Sequence, residues 1–170
     1  SLAQTAKPVE QNYVQNIQGY AQLLDHARDL IGRAQKHLLI ALWQPEAESL
    51  AEPIAAAQAR GVIIDTLCFQ ACPGECGICR GRIYRYHVTP NQSTPWLIVI
   101  QDEMDMVAGT TGQQSGAIRT QQLSLIQVVT WYIQHSLALA AVLSDLGGEL
   151  EARLRPETRE LLRAIGQGRS

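Results

Sequence analysis

The chain's 170 residues suffice for one compact domain with a sizeable core and hardly for two. A composition of 46% hydrophobic and 18% charged residues excludes a disordered chain. A net charge of −2, from 14 basic and 16 acidic residues, argues against a dedicated nucleic-acid-binding surface.

Residues 1–11 read as a lead-in, and the missing initiator Met with this polar opening suggests a fragment of a longer protein. From residue 12 to 36, Ile17, Tyr20, Leu24, Ala27, Ile31 and Ala34 recur every three or four positions, predicting one amphipathic helix. Residues 37–43 (HLLIALW) form a short apolar run, expected as a buried strand that ends before Pro45. Residues 46–60 are Ala-rich and helical, with Pro53 opening or kinking the helix and Gly61 ending it. Residues 62–67 (VIIDTL) give a second strand, so a parallel strand–helix–strand crossover is expected.

Farther along, residues 82–88 (RIYRYHV) suit a strand, and residues 96–100 and 104–108 flank a hairpin tip. Residues 117–120 suit a short last strand. A long helix over 121–146 follows, stopping at Gly147-Gly148, and residues 149–165 form an amphipathic helix that Pro156 kinks or restarts. Residues 123–144 contain no Asp, Glu, Lys or Arg, which raises a membrane span. Ser124, Gln127, Thr130, Gln134 and His135 weigh against it, because lipid offers such groups no hydrogen bonds. The expectation is a helix buried between the sheet and another element, such as a dimer partner.

Four cysteines lie within twelve residues: Cys68, Cys72, Cys76 and Cys79, in CFQACPGECGIC. A disulfide framework would spread its cysteines, and no secretory signal is visible, so a reducing, cytoplasmic compartment is expected. Thiolates at these short spacings suit a tetrahedral Zn²⁺ site, with Pro73-Gly74 and Gly77 supplying the turns. Cys72, Cys76 and Cys79 are the firmest ligands; Cys68 or His87 completes the set. An iron–sulfur cluster, a thiol–disulfide switch at the Cys76-x-x-Cys79 hook, and incidental thiols are the other readings. Arg80, Arg82 and Arg85 read as a solvated strand face rather than an anion grip, and Asp102, Glu103 and Asp105 as a hairpin tip rather than a cation site. Trp131, Tyr132 and His135 are expected in the core, and Trp43 either there or lining a pocket.

The order of elements resembles a known family. GYAQLLDHARDLIGRAQKHLLIALW leads into AQARGVIIDTL, then GRIYRYH, WLIVIQDEMDMVAG, AIRT and a helix containing WYIQHSLALA. From about residue 20 to 147 the chain is similar to the C-terminal effector domain of the TrmB family of transcriptional regulators. The resemblance rests on element order and scattered positions. It implies a phospholipase-D-like α/β fold, a mixed sheet flanked by helices with a long C-terminal helical pair. It also implies a dimer and a separate winged-helix domain through which DNA is bound. On this reading residues 12–148 are the effector-binding domain and 149–170 a C-terminal amphipathic helix.

Phospholipase-D-type enzymes use a His-x-Lys-x4-Asp pattern, whose His is the nucleophile and whose Lys neutralises phosphate. His87 is the nearest candidate here, but Thr89 and Thr94 occupy the Lys and Asp positions. His26, His37 and His135 also lack a Lys two residues on. The expected function is therefore a non-enzymatic sensor of a small-molecule effector or a metal, without a membrane role. The alternatives are a diverged phosphodiester hydrolase or a zinc-stapled dimerisation domain.

Overall fold

The computed structural model describes residues 13–69, 78–85, 95–146 and 150–166. Among these, seven strands form one mixed sheet: β1 (Val14–Gln18), β2 (His37–Leu42), β3 (Ile63–Cys68), β4 (Arg82–Arg85), β5 (Trp96–Gln101), β6 (Asp105–Thr110) and β7 (Gly116–Thr120). Their spatial order is β1-β7-β6-β5-β2-β3-β4. The pairs β2–β3 and β3–β4 are parallel and the remaining four antiparallel. The helices are α1 (Tyr20–Arg33), α2 (Gln44–Ser49), α3 (Ala51–Ala59), α4 (Leu123–Leu146), α5 (Leu150–Arg153) and α6 (Pro156–Gly166).

The apolar run at 37–43 is unbroken because β2 is covered on both faces. Leu38, Ile40 and Leu42 join the Leu23, Ala27, Leu30 and Ile31 stripe of α1 and the Ile54 and Ala57 positions of α3. Leu39, Ala41 and Trp43 point the other way and meet Ile126, Ile133 and Leu137 of α4. Fully burying each of the large aliphatic side chains stabilises the fold by about 1.5–3 kcal/mol. The strand–helix–strand crossover from β2 to β3 is parallel, as its sequence pattern predicts. The hairpin of β5 and β6 and the short last strand also form where expected.

Three expectations need correction. The helix expected over 12–36 begins only at Tyr20, and Val14–Gln18 is a strand paired antiparallel with β7. An edge strand that buries only Ile17 leaves little alternation to read, and Ile17 happens to fall at helical spacing from Tyr20. Gly19, at φ +92°, makes the turn between them. Second, the helix expected over 46–60 breaks at Leu50 into α2 and α3, which places Pro53 in the first turn of α3, where no hydrogen-bonding N–H is lost. Gly61 ends α3 at φ +88° as expected. Third, α4 is not enclosed. It buries only the stripe of Ile126, Thr130, Ile133, Leu137 and Ala140, while Trp131 is 70% and Tyr132 53% exposed. His135 is likewise on the outside, its Nδ1–H donating to the Trp131 carbonyl at 2.7 Å. The helix is long and apolar enough to cross a membrane by length and composition, with 22% of its most apolar window buried.

The hairpin tip is fixed by Asp102. Its carboxylate accepts the backbone N–H groups of Gln35 (3.0 Å), Lys36 (2.8 Å) and His37 (2.8 Å), tying the turn to the corner between α1 and β2. Burial alone would raise its pKa. The N–H of His37, the Gln101 amide and the N–H groups of Gln35 and Lys36 outweigh that and bring it to about 2. Because the folded value lies below the ordinary one, this stabilisation is present above about pH 4 and is lost as the pH falls through about 2. Asp102→Asn should lower stability at neutral pH by about 1–2 kcal/mol and flatten its pH dependence between about pH 4 and 2. Urea titrations of both proteins across that range check this.

Candidate effector site

β2 and β3 run parallel and end side by side, so their carboxyl ends form the edge where open α/β sheets place ligands. The cysteine segment leaves from this edge. Cys68 closes β3 with 2% of its surface exposed; it has the strand parity of Ile64, which puts it on the α1/α3 side. Cys79 is buried in the core of that same side. The proposed ligands Cys72, Cys76 and His87 lie outside the described residues. Among the described residues no group of three His, Cys, Asp or Glu is arranged to hold a metal ion.

A series of aromatic rings lines the edge on the α4 side. Trp43 follows β2, Phe69 follows β3, and Trp96 opens the antiparallel β5 at the same end. The ring centroids of Trp43 and Phe69 are 5.7 Å apart, those of Phe69 and Trp96 4.2 Å, and those of Trp96 and Tyr132 6.2 Å. Such offset and tilted contacts each add about 0.5–1.5 kcal/mol beyond area burial. The Trp43 ring is buried, and its Nε1–H has no hydrogen-bond partner. Three residues on, Glu46 is 3% exposed in α2. The Tyr20 hydroxyl donates to its Oε1 at 3.2 Å, and Oε2 is unpartnered. Burial and then the Glu46 carboxylate push the Tyr20 hydroxyl pKa upward, so Tyr20 stays a donor. In the sequence Glu46 is only the first residue of the Ala-rich segment 46–60, with no site role expected for it. The available signal was its place three residues after a strand-ending Trp.

The opposite end of the sheet holds a second constellation. His37 Nε2–H donates to Asp65 Oδ2 at 2.9 Å, and Arg82 grips the same carboxylate through Nε at 2.6 Å and Nη2 at 2.8 Å. Burial would raise the Asp65 pKa; the hydrogen bonds from Arg82 and His37 outweigh it and hold the carboxyl below the ordinary range. Arg82 is therefore an ion-pair partner rather than a member of a merely solvated strand face. The expected hairpin-tip role fits Asp102 and Glu103, which take φ +51° and +57°, but not Asp105. Asp105 is 2% exposed and accepts from Arg119, Arg33 and Gln121. Trp43 takes the core role of its two expected ones. Near the hairpin tip, a cleft of about 560 Å³ opens between Glu103 and the first half of α4, with Gln127, Thr130, Trp131 and Gln134 on its wall.

A seven-stranded mixed sheet with helices on both faces and a long helix after the last strand is a phospholipase-D-like fold. Solved structures of that fold align with this chain. TrmBL2, an archaeal chromatin protein with a novel mode of DNA binding, matches with a TM-score of 0.58 and 13% identity, over 75% of this chain and 53% of TrmBL2. NucT from Helicobacter pylori matches with a TM-score of 0.58 and 12% identity, over 75% of this chain and 98% of NucT. Nuc from Salmonella typhimurium, a phospholipase D family member, matches with a TM-score of 0.54 and 13% identity, over 74% and 93%. In sequence, the chain is 25% identical over 134 residues to the uncharacterized protein YrhO of Bacillus subtilis, covering 75% of this chain and 47% of YrhO. The chain thus spans about half the length of YrhO and of TrmBL2. No protein-family model matches it.

Proposed function

We infer that this chain is a regulatory, non-catalytic domain that takes up an effector at the carboxyl edge of its parallel strands and thereby alters DNA binding by another part of a longer protein. The observation that carries the reading is Glu46, a carboxylate 3% exposed with one oxygen unpartnered, three residues after the strand-ending Trp43. Leaving such an oxygen unsatisfied costs about 1–3 kcal/mol, which an arriving N–H or O–H group recovers. Glu46 therefore favours a small molecule that offers it a hydrogen-bond donor. The four cysteines are this proposal's second input, as a zinc site or as a redox-responsive thiol cluster. DNA binding comes to the proposal from TrmBL2, which carries the same fold, and that part of the argument is analogy.

Nuc and NucT share the fold too, so hydrolysis of a phosphodiester is the competing reading. The absence of any His-x-Lys pair from the chain weighs against it. One preparation of reduced protein tests both readings. With bis(p-nitrophenyl) phosphate no turnover above background is expected, and elemental analysis should find about one zinc per chain. Turnover that disappears in His87→Ala would establish the hydrolase instead. Four titratable thiols with no metal would remove zinc from the proposal.

A further inference from the structure

The outward face of α4 carries a pattern that neither the sheet nor the strand edge explains. Leu125, Val128, Tyr132, Leu139, Val142 and Leu146, with His135 between them, fall at spacings of 3, 4, 3, 4, 3 and 4. That is a heptad seam over three repeats, the spacing by which one helix packs along another. It lies opposite the stripe of Ile126, Ile133 and Leu137 that faces the sheet. Val128 is 68% exposed, Tyr132 53%, Val142 51% and Leu146 47%. An isolated domain has no use for such a seam, and contiguous exposed apolar surface on this scale marks an interface.

We propose that α4 is a homodimerisation helix, pairing along this seam with α4 of a second copy of the chain. Self-association is favoured over a foreign partner by symmetry. The seam runs from 125 to 146 and its midpoint falls between His135 and Ser136. A parallel pair sets each residue against its own copy. An antiparallel pair sets Leu125 against Leu146 and Val128 against Val142 or Leu143. The seam is thus complementary to itself in either direction, and His135 lies at the two-fold axis in both. No Asp, Glu, Lys or Arg occurs from 123 to 144 to select a charged partner, and Ser136 and Ala138 beside the axis let two helices approach closely.

The exposure also suits a pair. Val128, Tyr132, Val142 and Leu146 are each about half or more exposed along the whole length of the seam, so a second copy laid along it would cover a continuous apolar strip. His135 is the one strongly polar seam residue. A polar group at such a position sets register and oligomer state at a cost in affinity.

Sedimentation equilibrium on the chain tests this, with a dimer expected at about 10 µM. The double variant Val128→Glu, Val142→Glu should raise the dimer Kd on the order of 100-fold or more, with the circular dichroism spectrum unchanged because both sites are exposed. Gln127→Glu, on the cleft wall beside the seam, should leave the Kd unchanged. His135→Leu should tighten the dimer about tenfold, because it removes the polar group from the middle of the seam. Three results overturn the proposal: a monomeric wild type, a dimer that survives the double variant, or a His135→Leu dimer no tighter than wild type. A monomer that co-floats with phosphatidylcholine vesicles would give the face to a bilayer instead.

Discussion

Replacing Asp105 with Ala should destabilise the domain by about 3–5 kcal/mol, the cost typical of stranding a buried charge. Asp105 accepts from Arg119 Nε at 3.3 Å and Nη2 at 2.9 Å, from Arg33 Nη2 at 3.0 Å and from Gln121 Nε2 at 3.2 Å. Arg119 is the critical partner, because its side chain is only 13% exposed. Asp29 Oδ2 at 2.8 Å and His26 Nδ1 at 3.1 Å also contact it, but Asp29 is half-exposed and shared with Arg33, so it leaves Arg119 only partly neutralised once Asp105 is gone. For a domain of this size such a loss corresponds to a fall in Tm of roughly 10 °C. The double variant Asp105→Ala, Arg119→Met removes the under-compensated charge and should recover more than half of the loss. Chemical denaturation of the two variants and the wild type closes the cycle. A single-variant loss under about 1 kcal/mol would mean that water reaches Arg119 and compensates it.

Gly81→Ala is the second large effect expected. Gly81 sits at φ +79° just before β4, and a Cβ there would lie 2.1 Å from the Ile64 carbonyl oxygen. Left-handed backbone costs an L-residue about 1–2 kcal/mol, and the clash with rigid backbone comes on top. The total should reach about 3 kcal/mol or more, because β4 must move away from β3 to relieve it. Gly61→Ala provides the internal comparison: it has φ +88° but open space around the Cβ position. That variant should lose only about 1 kcal/mol, so the difference between the two isolates the close approach. Displacing β4 also pulls Arg82 from Asp65, and the His37 ring bonded to the same carboxylate should report it as a shifted NMR resonance. Equal losses at both glycines would show that β4 tolerates the added methyl.

What the sequence disclosed and what it hid follow one physical division. Elements buried on two faces announce themselves, since nearly every side chain must be apolar; β2, β3 and β5 all read directly. Elements buried on one narrow line do not. β1 rests on Ile17 alone, and that single residue fits a helix as well as a strand. The polar clusters were hidden for a related reason. His37, Asp65 and Arg82 meet only because the register sets Asp65 against Arg82 and places His37 two residues away across β2–β3. No spacing within one segment encodes that. Asp105 looked like its neighbours Asp102 and Glu103, although strand pairing turns it inward and leaves them at the tip. On α4 the scatter of Ser, Gln and His suggested a polar face, and that obscured the heptad running between them.

The pairing of β1 with β7 has a mechanical side. Val14 lies opposite Thr120, the Thr120 hydroxyl donates to the Tyr13 carbonyl at 2.8 Å, and α4 begins at Leu123. The strand that enters the sheet at Tyr13 and the helix that leaves after Thr120 are therefore anchored at one point. Torque applied through residues ahead of Tyr13 acts on the root of α4 across five paired positions rather than through the body of the domain. The two segments share one anchor at the edge of the sheet.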